Sequence, residues 1–416
     1  MKGNKTIFLS PPSVGARERA AVKRAFDSGY VAPCGPQVDE FERRLAELAG
    51  RKYAVAVSSG TAAIDLLMAE LGVDSSWTVV APTLTFIATV GPAWHRGARL
   101  VFVDCDETGN IDPNLLDEAL GSIRVKLGSD RVLRPKIALT ITGPKSTLKD
   151  PTQTLSARKK PLIDHKLTLK DPTQTLSDTK ILVIGVDLYG ACCDYKALTA
   201  ICRRHGAKLI IDSAEAVGAT RDGRPAGSAG LAAVYSFNGN KIVTTSGGGA
   251  IVTDDRALSE RAKKRAQQSR ERCAWYEHRE VGYNYRLSNI LAAIGIAQLD
   301  RLPQILRRRK ANFAWYARHF EGDVMVPGEC ANHWMTVGLL RSRRERDALL
   351  ARFAKAGIEA RPVWKPMHLQ PVFAGCRVFG GEVAEALFDR GVCLPSGTDL
   401  TPADRRRIAS VLPSRS

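Results

Sequence analysis

ILVIGVDLYGACCDYKALTAICRRHGAKLIIDSAEAVG, residues 181–218, decides the fold class. ILVIGV (181–186) is apolar throughout and stops at Asp187. DYKALTAICRRHG (194–206) then reads as a helix, and AKLIID (207–212) is a second apolar strand. Strands that are apolar on both faces and joined through a helix belong to a parallel sheet covered on both sides. The pattern extends outward. AVAVSS (54–59) leads through Gly60 into TAAIDLLMAEL, and WTVVAP (77–82) into TLTFIATVGPAWHRG. RLVFVDCD (99–106) leads into NIDPNLLDEAL, and LAAVYSFNGNK (231–241) continues the series. The expectation is an α/β fold.

From about residue 255 long helices take over, first RALSERAKKRAQQSRER (256–272) and then SNILAAIGIAQLDRLPQILRRRKANFAWYARHF (288–320). After Pro327 come a short strand in HWMTVGLL, a helix in RERDALLARFAKAG and a final helix in EVAEALFDRG. The expected organisation is an arm (1–14), a large α/β domain (15–262), then linking helices and a smaller α+β domain (263–416).

With 416 residues, 44% hydrophobic and 25% charged, the chain has the composition of a globular protein. No apolar run approaches the ~18 residues of a membrane span, and the first residues lack a signal-type apolar region. No membrane partner is expected, and the expected compartment is the cytoplasm. Nine cysteines, Cys192 and Cys193 adjacent and no C-x-x-C, suit buried thiols and give no metal site. The net charge is +18, and residues 124–180 hold 13 Lys and Arg against 5 Asp. Without zinc-finger spacing or an RNA-recognition signature, no nucleic-acid partner is expected. The surplus reads as solvated surface suited to an anionic substrate. TLKDPTQTLS stands at 147–156 and again at 168–177. Two copies cannot stack into a solenoid, so 130–179 reads as a poorly ordered surface insertion, with a functional binding loop as the alternative.

Three motifs carry chemistry. In SSGTAAIDLL a strand ends, Gly60 turns the chain, and a helix starts near Thr61. Its amides, with the Ser59 and Thr61 hydroxyls, form either an anion cup or a plain N-cap. Asp212 ends a buried strand, where open α/β sheets place ligands, and Glu215 follows three residues on. SFNGNKIVTTSGGGAIV (236–252) sets Ser236, Asn238 and Lys241 in a loop whose Gly247, Gly248 and Gly249 admit close backbone approach. A lysine at apolar strand ends is either an exposed turn residue or an amine that condenses with an aldehyde. Phosphate cup, strand-end carboxylate and lysine, in that order, are the parts of a pyridoxal 5'-phosphate site.

These stretches, with GYVAPCGPQVDEFE, APTLTFIAT, VDLYG, GYNYRLSNILAAIGIAQL and RPVWKPMHLQPVF, resemble the DegT/DnrJ/EryC1/StrS sugar aminotransferases. The resemblance implies a fold-type I, aspartate aminotransferase-like architecture with a mostly parallel seven-stranded sheet. It makes Lys241 the Schiff-base lysine and proton shuttle, and Asp212 the partner of the pyridine nitrogen. Glu215 would lie near the cofactor 3-hydroxyl. Gly60, Thr61 and Ser236 would hold the phosphate, with Ser59 and Asn238 nearby, and Phe86 would stack on the ring. Asn284 would reach the neighbouring subunit's cofactor phosphate, implying a homodimer with shared active sites. Asp187, Tyr189, Trp364, Lys365 and His368 would lie by the substrate. SFNGNK, TTSGGG and WKPMHLQPVF look most like the subgroup that aminates C4 of UDP-linked 4-keto-6-deoxy-N-acetylhexosamines, with L-glutamate as donor. Other keto nucleotide sugars, dTDP- or GDP-linked or 3-keto, are alternatives, as is a non-catalytic binding or regulatory role. The insertion and the polar PSRS end depart from the family pattern.

Overall fold

A computed structural model describes residues 6–126, 180–325, 328 and 330–412. The expected insertion, with both decapeptide copies, lies outside the described residues.

The central sheet has eight strands. In spatial order they are Tyr53–Val57, Gly249–Thr253, Ala232–Ser236, Lys208–Asp212, Lys180–Val186, Trp77–Pro82, Arg99–Val103 and Arg377–Phe379. Seven come from the region expected to form it. The eighth, RVF, returns from near the end of the chain and pairs in parallel with Arg99–Val103, covering an edge that would otherwise expose unpaired backbone groups. The return is fixed by Asp104, whose carboxylate accepts from the amides of Gly381, Val383 and Ala384 at 2.7–3.0 Å.

One strand runs backwards. Gly249–Thr253 is antiparallel to both neighbours, and Gly249 pairs with Val57 on one side and Ser236 on the other. A reversed strand begins where its neighbours end. Gly247 and Gly248 therefore share the sheet edge with the last residues of the parallel strands. That edge carries the site.

Helix Asn289–His319 is 31 residues long, roughly 46 Å at 1.5 Å per residue. Its first half packs on helices Ala16–Asp27 and Pro36–Ala49. Gly295 is needed there, because a Cβ would lie 2.5 Å from the Phe41 ring. Phe41 is fully buried and packs against Phe237 with centroids 5.1 Å apart. Truncation of such a ring to alanine costs about 3–5 kcal/mol. The second half carries a four-stranded sheet in the order Asp323–Val324, Thr336–Leu339, Gly391–Leu394, Arg361–Pro362. A separate core of Tyr316, Phe320, Leu349, Phe353 and Ile408 lies beneath it. Helix Glu382–Arg390 is present, but it is followed by another, Pro402–Ala409, opened by a capping box of Thr401 and Asp404.

The arm is part of this structure. The Ile7 amide donates to Gly357 O at 3.0 Å, and Ile7 O accepts from Glu359 N at 2.8 Å. All nine cysteines are free, and Cys105, Cys192, Cys193, Cys202 and Cys393 are buried. Among the described residues no helix is long and apolar enough to cross a membrane, and no cluster of His, Cys, Asp and Glu is arranged to hold a metal.

Candidate active site

Loops at the carboxyl edge of the large sheet, the arm and the small sheet enclose a cleft of about 930 Å³. Its walls include Ser59, Gly60, Thr61, Phe86, Tyr189, Asp212, Glu215, Ser236, Asn238, Lys241, Trp364 and Lys365. Twelve of the fifteen residues singled out from sequence thus meet in one place.

Lys241 follows the strand Ala232–Ser236 in the loop that leads to the reversed strand. Its Nζ donates to Glu215 Oε1 at 3.2 Å, and the Trp334 ring centroid lies 3.9 Å from it. The other Glu215 oxygen accepts from the Tyr189 amide at 2.7 Å. Tyr189 is held at φ 51°, ψ 19°, a left-handed conformation costly for a tyrosine. The two Glu215 bonds thereby tie the lysine to the end of strand Lys180–Val186. Burial pushes the Glu215 carboxyl up, and the Lys241 charge chiefly opposes it.

Asp212 ends the strand Lys208–Asp212, and its side chain reaches the cleft floor. Oδ2 accepts from Thr89 Oγ1 at 2.7 Å, and Oδ1 from the Ala214 amide at 3.1 Å. Burial pushes this carboxyl up too, while these two donors and the Lys241 charge favour the ionised form. A carboxylate held so can accept a proton-bearing ring nitrogen.

At the opposite wall, Ser59 caps the helix Gly60–Leu71. Its Oγ accepts from Ala62 N at 3.0 Å, and its carbonyl from Ala63 N. The Gly60 and Thr61 amides come before the first intrahelical bond and lie in the cleft wall. The approach is close: a Cβ on Gly60 would stand 3.0 Å from Ser236 Cβ, and one on Gly249 2.5 Å from the backbone of Ser59 and Gly60. The N-cap is therefore present, and the same turn leaves the Gly60 and Thr61 amides available to an anion. The residues fit pyridoxal phosphate. Amides and the Ser59, Thr61 and Ser236 hydroxyls match its phosphate, Asp212 its ring nitrogen and Lys241 its aldehyde.

Aromatic rings form one side of the cleft. Trp364 packs on Phe86 and Tyr189 with centroids 5.5 and 5.1 Å apart, and its amide donates to Tyr189 Oη at 3.1 Å. Phe86 is 55% exposed. Arg361 and Lys365 bring positive charge to the walls, with Arg361 3.0 Å from Glu359.

Three expected residues do not join the cleft. Asp187 is fully buried beneath it, its carboxylate accepting from Ser213 Oγ and Tyr195 Oη at 2.6 Å and from Cys193 N at 2.9 Å. Val186 lines the cleft, and the next side chain faces the opposite way by strand alternation. His368 is turned into a second contact, Nδ1 2.6 Å from Thr83 Oγ1 and Nε2 3.0 Å from Glu385. Asn284 lies outside its own chain's cleft, between Tyr283 and Tyr285, whose rings stack 4.6 Å apart. Sequence reasoning missed Thr89, Trp334 and the arm residues Ser10, Pro11 and Pro12, all in the cleft wall. Thr89 lies in the quoted TFIAT stretch. The others reach the site only through contacts distant in sequence.

A family model for DegT/DnrJ/EryC1/StrS aminotransferases matches residues 12–124 and 171–413. The unmatched stretch falls largely within the expected insertion. EpsN of Bacillus subtilis, named as a pyridoxal phosphate-dependent aminotransferase, is 36% identical over 98% of this chain and 95% of its own. GDP-perosamine synthase of Caulobacter vibrioides is 31% identical over 98% and 97%. The crystal structure of an aminotransferase of the same family from Brucella abortus superposes with a TM-score of 0.77 at 26% identity, covering 95% of this chain and 94% of that one. With its sheet, cleft lysine and strand-end aspartate in place, the chain belongs to the DegT/DnrJ/EryC1/StrS family of pyridoxal phosphate-dependent sugar aminotransferases.

Proposed function

We propose that the protein moves an amino group from L-glutamate to C4 of a UDP-linked 4-keto-6-deoxy-N-acetylhexosamine. The observation that carries the reaction type is one cleft in which Lys241 Nζ lies 3.2 Å from Glu215, with Asp212 on the floor and the Gly60 helix start at the wall. The substrate reading rests on SFNGNK, TTSGGG and WKPMHLQPVF. Arg361 and Lys365 support it as cations suited to a diphosphate, and the aromatic wall as a surface suited to a deoxy sugar.

When bound, the cofactor supplies an aldehyde that accepts amino groups and a ring that takes up electrons from the reacting carbon. The roles of the chain follow from position. Asp212 holds a proton on the ring nitrogen. The Gly60 and Thr61 amides and the Ser59, Thr61 and Ser236 hydroxyls bind the phosphate. Lys241 takes a proton at Nζ from one carbon and returns it to another, as general base and then acid. Phe86 and Trp364 exclude water from one side.

The working unit in this reading is a homodimer in which Asn284 reaches the other subunit's phosphate. Asn284 follows a loop that exposes Trp275, Tyr276 and Val281, an apolar set suited to burial against a second copy.

The relative named GDP-perosamine synthase keeps a GDP-linked substrate as the second reading. Visible absorbance of the protein with pyridoxal phosphate, before and after L-glutamate, tests the cofactor and donor. UDP-, GDP- and dTDP-linked keto sugars then test the acceptor. We expect a band that glutamate shifts, absent as such from Lys241→Ala, whose turnover falls by roughly 10²–10⁴ or more. A parent with no band refutes the reading, and turnover of a GDP-sugar alone moves it to the second.

A further inference from the structure

Arg309, on helix Asn289–His319, is 1% exposed. Its guanidinium donates to Trp334 O at 2.7 Å and to Ser10 Oγ at 2.9 Å, neither of them a carboxylate. Burial pulls the guanidinium down to about 10, with Asp399 acting against this from a distance. Burying a cation without a bonded counter-charge is costly, so its two partners matter. They converge on one atom: Ser10 Oγ donates to Asn240 O at 2.8 Å, and Trp334 Nε1 to the same oxygen at 2.7 Å. Asn240 directly precedes Lys241.

Trp334 is fixed at its other end as well. Its amide donates to Asn332 Oδ1 at 2.8 Å, and Asn332 Nδ2 donates to the carbonyls of Glu215 and Val217 at 2.7 and 3.1 Å. Amide, carbonyl and ring nitrogen of the tryptophan are therefore all bonded. The indole ring, with Tyr189 and Trp364 beside it, receives the Lys241 Nζ at 3.9 Å from its centroid. Glu215 holds the same ammonium at 3.2 Å. A carboxylate oxygen fixes a direction. A π face attracts a cation without fixing one, so the amine can leave and return.

We propose that Trp334, braced by Arg309, is a positioning residue for Lys241, and that its indole face holds the ammonium in the cleft whenever the lysine is not bonded to the cofactor. This rests on the reading of Lys241 as the cofactor lysine.

The test uses Trp334→Leu, Trp334→Phe and a protein carrying fluorotryptophan at position 334 alone. Fluorine weakens the negative potential of the face while nearly keeping its shape. The main readout is the rate at which an amine-reactive reagent modifies Lys241 in the cofactor-free protein, measured by peptide mass spectrometry relative to the other lysines. We expect the rate to rise from tryptophan through fluorotryptophan to leucine, reaching about tenfold, with phenylalanine between. In the loaded enzyme kcat falls in the same order while the KM for L-glutamate stays within about twofold. Equal labelling of Lys241 in parent and fluorotryptophan protein overturns the proposal, even where the leucine variant does not fold. Borohydride reduction of the loaded parent separates the two readings. If it does not fix the cofactor on Lys241, the site assignment falls and this inference with it. If it does and labelling is unchanged, only this inference falls.

Discussion

Replacing Gly249 by alanine tests the phosphate cradle through backbone geometry alone. The new Cβ would stand 2.5 Å from Gly60 N, Ser59 C and Ser59 O, whereas ordinary contact begins at 3.4 Å. All three atoms are backbone, so no side chain can swing aside. The reversed strand and the helix start must separate by roughly 1 Å, and overpacking of this kind costs about 1–3 kcal/mol. The same displacement moves the Gly60 and Thr61 amides relative to Ser236. Losing one charge-assisted hydrogen bond of about 1.5–3 kcal/mol weakens cofactor binding roughly ten- to hundredfold. The assay is thermal unfolding of the cofactor-free protein together with an absorbance titration with pyridoxal phosphate. Gly91→Ala is the control, since a Cβ there meets nothing within 4 Å. Parental affinity and parental melting temperature in Gly249→Ala would refute the cradle.

Other outcomes follow from the same geometry. Thr89→Val removes the hydroxyl that donates to Asp212 at 2.7 Å. Cofactor dissociation should rise about tenfold or more, and an unchanged titration would count against Asp212 as the ring-nitrogen partner. Asn284→Ala should weaken cofactor binding about tenfold without altering the sedimentation of a dimer; unaltered affinity in that dimer would remove the shared site. Burial lifts the Asp187 carboxyl to about 6. The folded chain therefore keeps a proton that the unfolded chain, near ~3.9, has lost. The group costs stability above about pH 6, and that cost disappears as pH falls to about 4. Against Asp187→Asn, the parent should gain melting temperature over that window, and a constant gap would contradict the assignment.

The sequence showed the parallel strands, because strands buried on both faces are continuous apolar runs and their ends carry the polar residues that line the cleft. It did not show that Gly249–Thr253 is reversed, since a doubly buried strand reads the same in either direction. RVF at 377–379 is too short for its pattern to rise above background. Asp187 was misplaced because a carboxylate after an apolar run faces either the cleft or the layer below, and parity along the strand decides which. Trp334 lies in HWMTVGLL, a stretch that reads only as a short strand. Its approach to Lys241 depends on the long helix bringing the small sheet against the large one, which leaves no local trace.

The arm gives the cleft a history as well as a wall. Leu9 N donates to Glu359 Oε2, a partner 350 residues further along. At ~5–20 residues per second, the arm would emerge from a ribosome roughly 20–70 seconds before that partner exists. Through that time the Leu9 amide lacks its acceptor. The arm, made well before its dock, thus settles only after the small sheet has formed.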